Sequence, residues 1–230
     1  MGAGQFCTNP GLVIAIEGPD LDAFIESASE TLKASTAQTM LTPGIHQAYG
    51  QGVSALAANG KVREVARGLE GEGANQCQSG LFVAAGEDVI ADASLQAEVF
   101  GASSLIVACR DAAEVKRVAE SLEGQLTATL QMDDADYEAA KALLPTLERK
   151  AGRIMANGWP TGVEVCDAMV HGGPFPATSD SRTTSVGTAA IFRFLRPVCY
   201  QDLPDTLLPE AVRESNPLKL RRLVDGERES

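Results

Sequence analysis

Short apolar runs alternate with helix-patterned segments through most of this 230-residue chain, and few architectures accept that order. Leu12-Val13-Ile14-Ala15-Ile16 has the length and composition of a buried strand. The segment after it repeats Leu21, Phe24, Ile25, Ala28 and Leu32 at helical spacing, with Asp20 placed to cap the helix. A second helical stretch is expected from about Gly44 through Leu69, interrupted at Asn59-Gly60. Residues 81–85 and 104–109 read as strands. Asp111 and Glu114 then make a capping box for a helix carrying Val115, Val118, Ala119 and Leu122. A strand over 126–130, a helix over 134–150 bent near Pro145, and a strand over 152–157 complete the series. Alternation at these lengths implies right-handed crossovers and an α/β fold with a doubly wound, mostly parallel sheet.

From Met169 to Gly187 the pattern changes: Gly, Pro, Ser and Thr accumulate without periodicity, which predicts a long loop. Residues 189–200 are strand-like, with Phe192 and Phe194 alternating against Arg193. A strand that follows a loop rather than a crossover helix is expected at a sheet edge, where a second subunit could pair with it. The remainder, from Pro209, is charged and weakly apolar.

Composition narrows the function classes. With 44% hydrophobic residues the chain can bury a large core. A net charge of −12 argues against a nucleic-acid surface and against affinity for anionic lipid. No apolar run approaches the roughly 18 residues of a membrane span, and Met1-Gly2-Ala3-Gly4 lacks the regions of a signal peptide, so the cytoplasm is the expected location. Small-molecule chemistry or protein contact remains.

The five cysteines, at 7, 77, 109, 166 and 199, have no CxxC spacing and no paired histidine cluster, so neither a metal site nor a disulfide framework is indicated. Cys109, Cys166 and Cys199 lie in apolar contexts and read as small buried hydrophobes. Cys77, within Asn75-Gln76-Cys77-Gln78, reads as more exposed. Cys7 differs from all of these. It sits in Gly4-Gln5-Phe6-Cys7-Thr8-Asn9-Pro10-Gly11, a glycine-flanked turn leading into the first apolar run. A thiol in such a turn is placed for nucleophilic chemistry, with a neighbouring backbone N–H to meet a developing oxyanion.

That octapeptide closely resembles the nucleophile loop of the aldehyde dehydrogenase superfamily. The Phe-Cys-Thr-Asn-Pro-Gly wording is similar to the branch containing 2-oxoglutarate-semialdehyde (2,5-dioxopentanoate) dehydrogenase and NADP-dependent fatty-aldehyde dehydrogenases. Further motifs follow in the family's order. Glu98-Val99-Phe100-Gly101 resembles the Glu-x-Phe-Gly motif, which implies Glu98 on the nicotinamide ribose and Phe100 near the ring; a carboxylate suits a ribose diol and an aromatic face suits a flat heterocycle. Residues 151–163, ending Asn157-Gly158-Trp159-Pro160-Thr161-Gly162-Val163, resemble the family's strand and Pro-Thr-Gly-Val turn, with Trp159 as a candidate wall of a substrate pocket. His171-Gly172-Gly173-Pro174-Phe175-Pro176-Ala177-Thr178-Ser179-Asp180 resembles the closing loop of the 2-oxoglutarate-semialdehyde branch, and adds His171 and Phe175 as candidate substrate contacts. His171 has no recognised orienting partner and is not assigned catalysis.

The resemblance runs the length of the chain and implies the carboxyl-terminal, catalytic part of such an enzyme: residues 1–187 as an amino-terminally incomplete catalytic domain, 188–209 as an oligomerisation strand and 210–230 as a charged tail. It implies oxidation of an aldehyde through a Cys7 thioester, NAD or NADP as cofactor, and a homo-oligomer. In the family the main cofactor domain, the glutamate base and the asparagine of the oxyanion hole precede the nucleophile, and none matches a residue here. The chain by itself is therefore expected to turn over poorly, since one oxyanion donor alone is worth about 10²- to 10³-fold in rate. The alternative is a non-enzymatic remnant or oligomerisation module of the same fold. A thiol redox protein ranks last, because no resolving cysteine lies near Cys7.

Overall fold

The computed structural model describes residues 2–159 and 162–228. It divides into two units, residues 2–193 and residues 194–228. The first unit begins with β1 (Leu12–Ile16), α1 (Pro19–Lys33), β2 (Gln38–Thr39), α2 (Pro43–Ala58) and β3 (Val62–Arg67). β4 (Gln76–Cys77), β5 (Gly80–Ala85), α3 (Gly86–Ala91), β6 (Ser103–Cys109) and α4 (Ala112–Ser121) follow. β7 (Gln125–Leu130), α5 (Tyr137–Lys150) and β8 (Ala151–Ala156) complete its regular elements.

The main sheet has the order β1-β6-β5-β3. β1, β6 and β5 are parallel, with Leu12 opposite Leu105 and Phe82 opposite Leu105 on the other side, and β3 joins antiparallel to β5. β7 and β8 form a separate parallel pair, and β2 with β4 a small antiparallel one. A parallel strand with helices on both faces has to be apolar on both, and Leu105-Ile106-Val107-Ala108-Cys109 meets that demand. Its alternate residues enter two cores. Leu105, Val107 and Cys109 join Phe82, Val89, Val118 and the α2 residues Tyr49, Val53 and Leu56. Ile106 and Ala108 join Leu21, Ile25, Ala28 and Leu32 of α1 on the opposite face. Phe82, Ile106, Val107 and Val118 are wholly buried, each worth about 1.5–3 kcal/mol of apolar transfer. Helices on both faces of a parallel-rich sheet are the doubly wound arrangement anticipated from the alternation.

Helix ends show the local chemistry. α1 opens at Pro19 after Gly18, so Asp20 lies inside the first turn and acts on the helix dipole rather than as the cap itself. Thr42 caps α2 by accepting from Ile45 N–H at 3.2 Å. Asp111 caps α4 by accepting from Glu114 N–H at 2.8 Å, but the Glu114 carboxylate turns to Arg110, accepting from its N–H at 2.7 Å and its Nε at 2.9 Å. Only half of the expected capping box forms. α5 continues through Pro145, preceded by a single 3₁₀ turn at Asp134–Asp136.

Several expectations are corrected. The helix anticipated through Leu69 stops at Ala58; Val62–Arg67 is a strand, because pairing along β5 outweighs the helical appearance of Arg63, Glu64 and Arg67. Cys77 is 3% exposed, since it faces inward from β4 between polar neighbours. Cys166 and Cys199 are exposed, because neither belongs to a sheet. Residues 189–200 form no strand: Thr188–Phe194 is a 3₁₀ segment and 195–200 have no regular structure. A strand's backbone groups need an edge to pair with, and no strand of the described residues pairs with this segment. Its apolar side chains remain outside, with Phe194 85% exposed.

The second unit contains 3₁₀ turns at Asp205–Leu207 and Glu210–Val212 and a short hairpin of β9 (Leu223–Val224) with β10 (Glu227–Arg228). Asp225-Gly226, both at positive φ, make the tight turn that an Asp-Gly pair favours. Among the described residues no helix is long and apolar enough to cross a membrane.

Candidate active site

Asn9 N–H donates to the Phe6 carbonyl at 2.8 Å, which puts Cys7 and Thr8 at the centre of a tight turn. Cys7 is exposed and Thr8 is buried, so the turn faces its thiol outward and anchors itself with the next side chain. The stretch ahead of it is tied to β2 and the residues just after it: Ala3 N–H donates to Gln38 Oε1, and Leu41 N–H to Gln5 Oε1, both at 3.0 Å. The Cys7 N–H carries no hydrogen bond among the described residues. An amide donor thus stands beside the sulfur, as stabilisation of an oxyanion on a carbon bound to that sulfur requires.

The structure brings this turn against the Glu98–Gly101 motif. Asn9 Nδ2 donates to the Gly101 carbonyl at 3.1 Å. Gly4, at φ +69°, approaches the same carbonyl so closely that a Cβ there would stand 2.4 Å from its oxygen. Ser104 Oγ donates to the Pro10 carbonyl at 2.6 Å and Leu105 N–H to the Gly11 carbonyl at 2.9 Å, lacing the entry of β6 to the entry of β1. Glu98 is exposed and Phe100 is 38% exposed. A thiol, a carboxylate and an aromatic face therefore share the amino-terminal edge of two adjacent parallel strands. Open α/β sheets more often carry their ligands at the carboxyl ends.

Tyr49 braces the motif from below. Its hydroxyl reaches the Gln78 carbonyl at 2.7 Å and the Ala102 carbonyl at 3.1 Å, and its ring fills the space a Cβ on Gly101 would need, 2.3 Å from Cδ2. Burial pushes the Tyr49 phenol well above its ordinary value, so it stays a neutral donor. Neither Tyr49 nor Asn9 stood out in the sequence. Asn9 was visible within the octapeptide, whereas a tyrosine inside α2 carries no distinguishing signal.

The other candidate contacts belong to a different sheet, the β7–β8 pair. Asn157, at φ +50°, closes its carboxyl end by donating N–H to the Leu130 carbonyl at 2.9 Å and accepting from Met132 N–H at 2.8 Å. Trp159 follows, 54% exposed; Pro160 and Thr161, half of the expected Pro-Thr-Gly-Val turn, lie outside the described residues. The His171 loop instead crosses the amino end of the pair. A Cβ on Gly124 would meet the Pro174 carbonyl oxygen at 2.1 Å and one on Gly152 the Gly172 carbonyl oxygen at 2.4 Å. Thr184 pins the loop by accepting from His171 N–H at 2.8 Å, and Phe175 is 80% exposed. Trp159 and the His171–Phe175 loop therefore occupy opposite ends of β7–β8.

Of the remaining thiols, Cys109 is pushed up to about 12, first by burial and then by the Glu114 charge, and burial also raises Cys77. Both are disfavoured as thiolates. Among the described residues no group of three or more His, Cys, Asp or Glu is arranged to hold a metal.

No family model matches the chain. It is 58% identical over 100% of its length to alpha-ketoglutaric semialdehyde dehydrogenase 2 of Azospirillum brasilense, covering 44% of that protein. It is 50% identical over 98% of its length to alpha-ketoglutaric semialdehyde dehydrogenase of Acinetobacter baylyi, covering 43% of it. Its fold matches that of betaine aldehyde dehydrogenase from Staphylococcus aureus, solved in complex with NAD+, with a TM-score of 0.67 at 12% identity over 84% of this chain and 38% of that one. The chain thus spans less than half the length of the relatives it matches. With that identity sustained from end to end, on a fold that aldehyde dehydrogenases share, the chain belongs to the aldehyde dehydrogenase superfamily.

Proposed function

We propose that this chain supplies the nucleophile-bearing, catalytic-domain part of an NAD- or NADP-dependent aldehyde dehydrogenase that oxidises alpha-ketoglutaric semialdehyde to the dicarboxylate. The observation that carries the reading is the 3.1 Å bond from Asn9 to the Gly101 carbonyl, which joins the thiol's turn to the Glu98–Phe100 motif. The relatives' names supply the substrate. In this reading the Cys7 thiolate adds to the aldehyde carbon, the Cys7 N–H holds the oxyanion of the resulting hemithioacetal, and loss of hydride leaves a thioester that water hydrolyses. The exposed Glu98 carboxylate and the half-open Phe100 ring fit a ribose diol and a nicotinamide face. A nicotinamide cofactor, when bound, supplies the hydride acceptor. Trp159 is a proposed substrate contact on the strength of its exposure at the carboxyl end of β7–β8; His171 and Phe175, proposed contacts from the loop alone, lie at the opposite end and do not reach the same small aldehyde as Trp159 within one chain. The exposed apolar run from Ile191 to Tyr200 supports a homo-oligomer in which residues 188–209 are covered by another subunit.

The test compares the alkylation of Cys7 by iodoacetamide with that of Cys166 and Cys199, which are also exposed. Cys7 is expected to react faster and to be protected by added alpha-ketoglutaric semialdehyde, while the other two are unaffected. Equal rates at the three thiols, with no protection at Cys7, would refute the assignment.

A further inference from the structure

We propose that Arg153, with the hydroxyls of Thr127 and Thr129, forms a binding site for a carboxylate group on the face of the β7–β8 pair turned away from α5. The faces are set by register. Ala128 pairs with Ile154 and Leu130 with Ala156, and Leu130, Ile154 and Ala156 line an apolar hollow with Tyr137, Ala140 and Leu144 of α5, which Met155, the partner of Thr129, also reaches. Strand residues alternate between faces, so Thr127 and its partner Arg153, with Thr129, occupy the other one. There Arg153 Nη1, Thr127 Oγ1 and Thr129 Oγ1 are all closed off from solvent and have no hydrogen-bond partner among the described residues.

A fourth such atom is His171 Nδ1, and its loop is carried onto the same strands. Gly172 meets Gly152 on the side its Cβ would occupy, which by the same alternation is the face of Ile154 and Ala156 rather than that of Arg153. Three polar atoms left unpaired on one face, one of them part of a cation, are costly, since each loses water without replacement. A partner that resolves them has to accept hydrogen bonds and carry negative charge. A carboxylate offers acceptors only, matches the planar fork of a guanidinium, and balances its single charge. A metal cation would be repelled by Arg153. This site is independent of the chemistry assigned to Cys7.

The carboxylate comes either from a free dicarboxylic acid or from an Asp or Glu of a second copy, of which this chain has 31. The test uses the full chain, succinate as probe, and the ¹⁵N resonance of Arg153 Nε. If the acid is free, succinate shifts that resonance saturably, and binding weakens about tenfold or more in Arg153→Met, the loss expected for a charge-assisted pair. Thr127→Val, which keeps the guanidinium, weakens it severalfold. If the acid is a side chain of a second copy, sedimentation shows self-association of the wild type that Arg153→Met weakens. A resonance that succinate does not move, together with sedimentation unchanged by Arg153→Met, overturns the proposal.

Discussion

Replacing Gly4 by alanine tests whether the thiol's turn is truly docked on the Glu98–Gly101 loop. Gly4 stands at φ +69°, and an added Cβ would lie 2.4, 2.5 and 2.6 Å from Gly101 O, Gly101 C and Ala102 N. These are backbone atoms, so no rotamer change relieves the contact. The left-handed conformation alone costs about 1–2 kcal/mol for a residue with a Cβ. Forcing the two backbones apart adds about 1–3 kcal/mol by analogy with overpacked interiors. Gly2, at φ +52° with nothing within 4 Å, supplies the control for the first cost without the second, and Gly11, with nothing within 4 Å and no positive φ, lacks both. Urea unfolding should therefore order the variants as Gly11→Ala near the wild type, Gly2→Ala lower by about 1–2 kcal/mol, and Gly4→Ala lower by about 2–5 kcal/mol. A chain that relieves the clash by releasing its turn would instead speed amide exchange at Leu105, whose N–H is held by the Gly11 carbonyl at 2.9 Å. If Gly4→Ala matched Gly2→Ala within about 0.5 kcal/mol and left Leu105 exchange unchanged, the docking would be wrong.

Tyr49→Phe removes the donor shared by the Gln78 and Ala102 carbonyls and should lower stability by about 1–3 kcal/mol by urea unfolding, while the ring that supports Gly101 is retained and the Cys7 turn keeps its seat. Phe82→Ala, at a fully buried position in the main sheet, should cost about 3–5 kcal/mol by the same measurement. Hydrogen bonds from Arg110 hold the Glu114 carboxyl below its ordinary 4.5, so its stabilising contribution is present above that value and is lost as pH falls through the lower folded value. Urea midpoints should accordingly show Glu114→Gln less stable than the wild type near neutrality, with the gap closing in acid; a constant gap across that range would contradict the pairing. Cys77 and Cys109, buried and raised, should resist alkylation until the chain unfolds, as mass spectrometry under native and denaturing conditions will show.

How far the residues themselves announced this architecture differs from element to element. β1 and β6 were legible because a strand covered on both faces has to be apolar throughout, and Leu12–Ile16 and Leu105–Cys109 are. α4 was legible from Asp111 and its spacing to Glu114, even though Glu114 spends its carboxylate on Arg110. β3 was not legible, since Val62–Arg67 mixes charged and apolar residues and becomes a strand through pairing with β5. Cys77 misled for a related reason: polar neighbours suggested exposure, yet one inward position of β4 is enough to bury it. Residues 189–200 show the reverse error, an alternating pattern with no strand edge among the described residues to receive it.

The candidate site divides along the same line. Local sequence was sufficient to single out Cys7 and Glu98, because turn glycines, a following apolar run and a short motif are properties of neighbouring residues. That the two motifs, 91 positions apart, stand on one edge follows from β1 pairing beside β6 and from the Asn9, Ser104 and Leu105 hydrogen bonds across the strand entries. The placement of Trp159 and the His171 loop at opposite ends of β7–β8, and the unpaired Arg153 on one face of it, likewise depend on register and crossing. Hydrophobic periodicity and turn chemistry act over a few residues and so can be read along the chain. Which strand entries meet, and which polar atoms are sealed without a partner, arises from the long-range packing of elements that carry no record of one another in their own sequences.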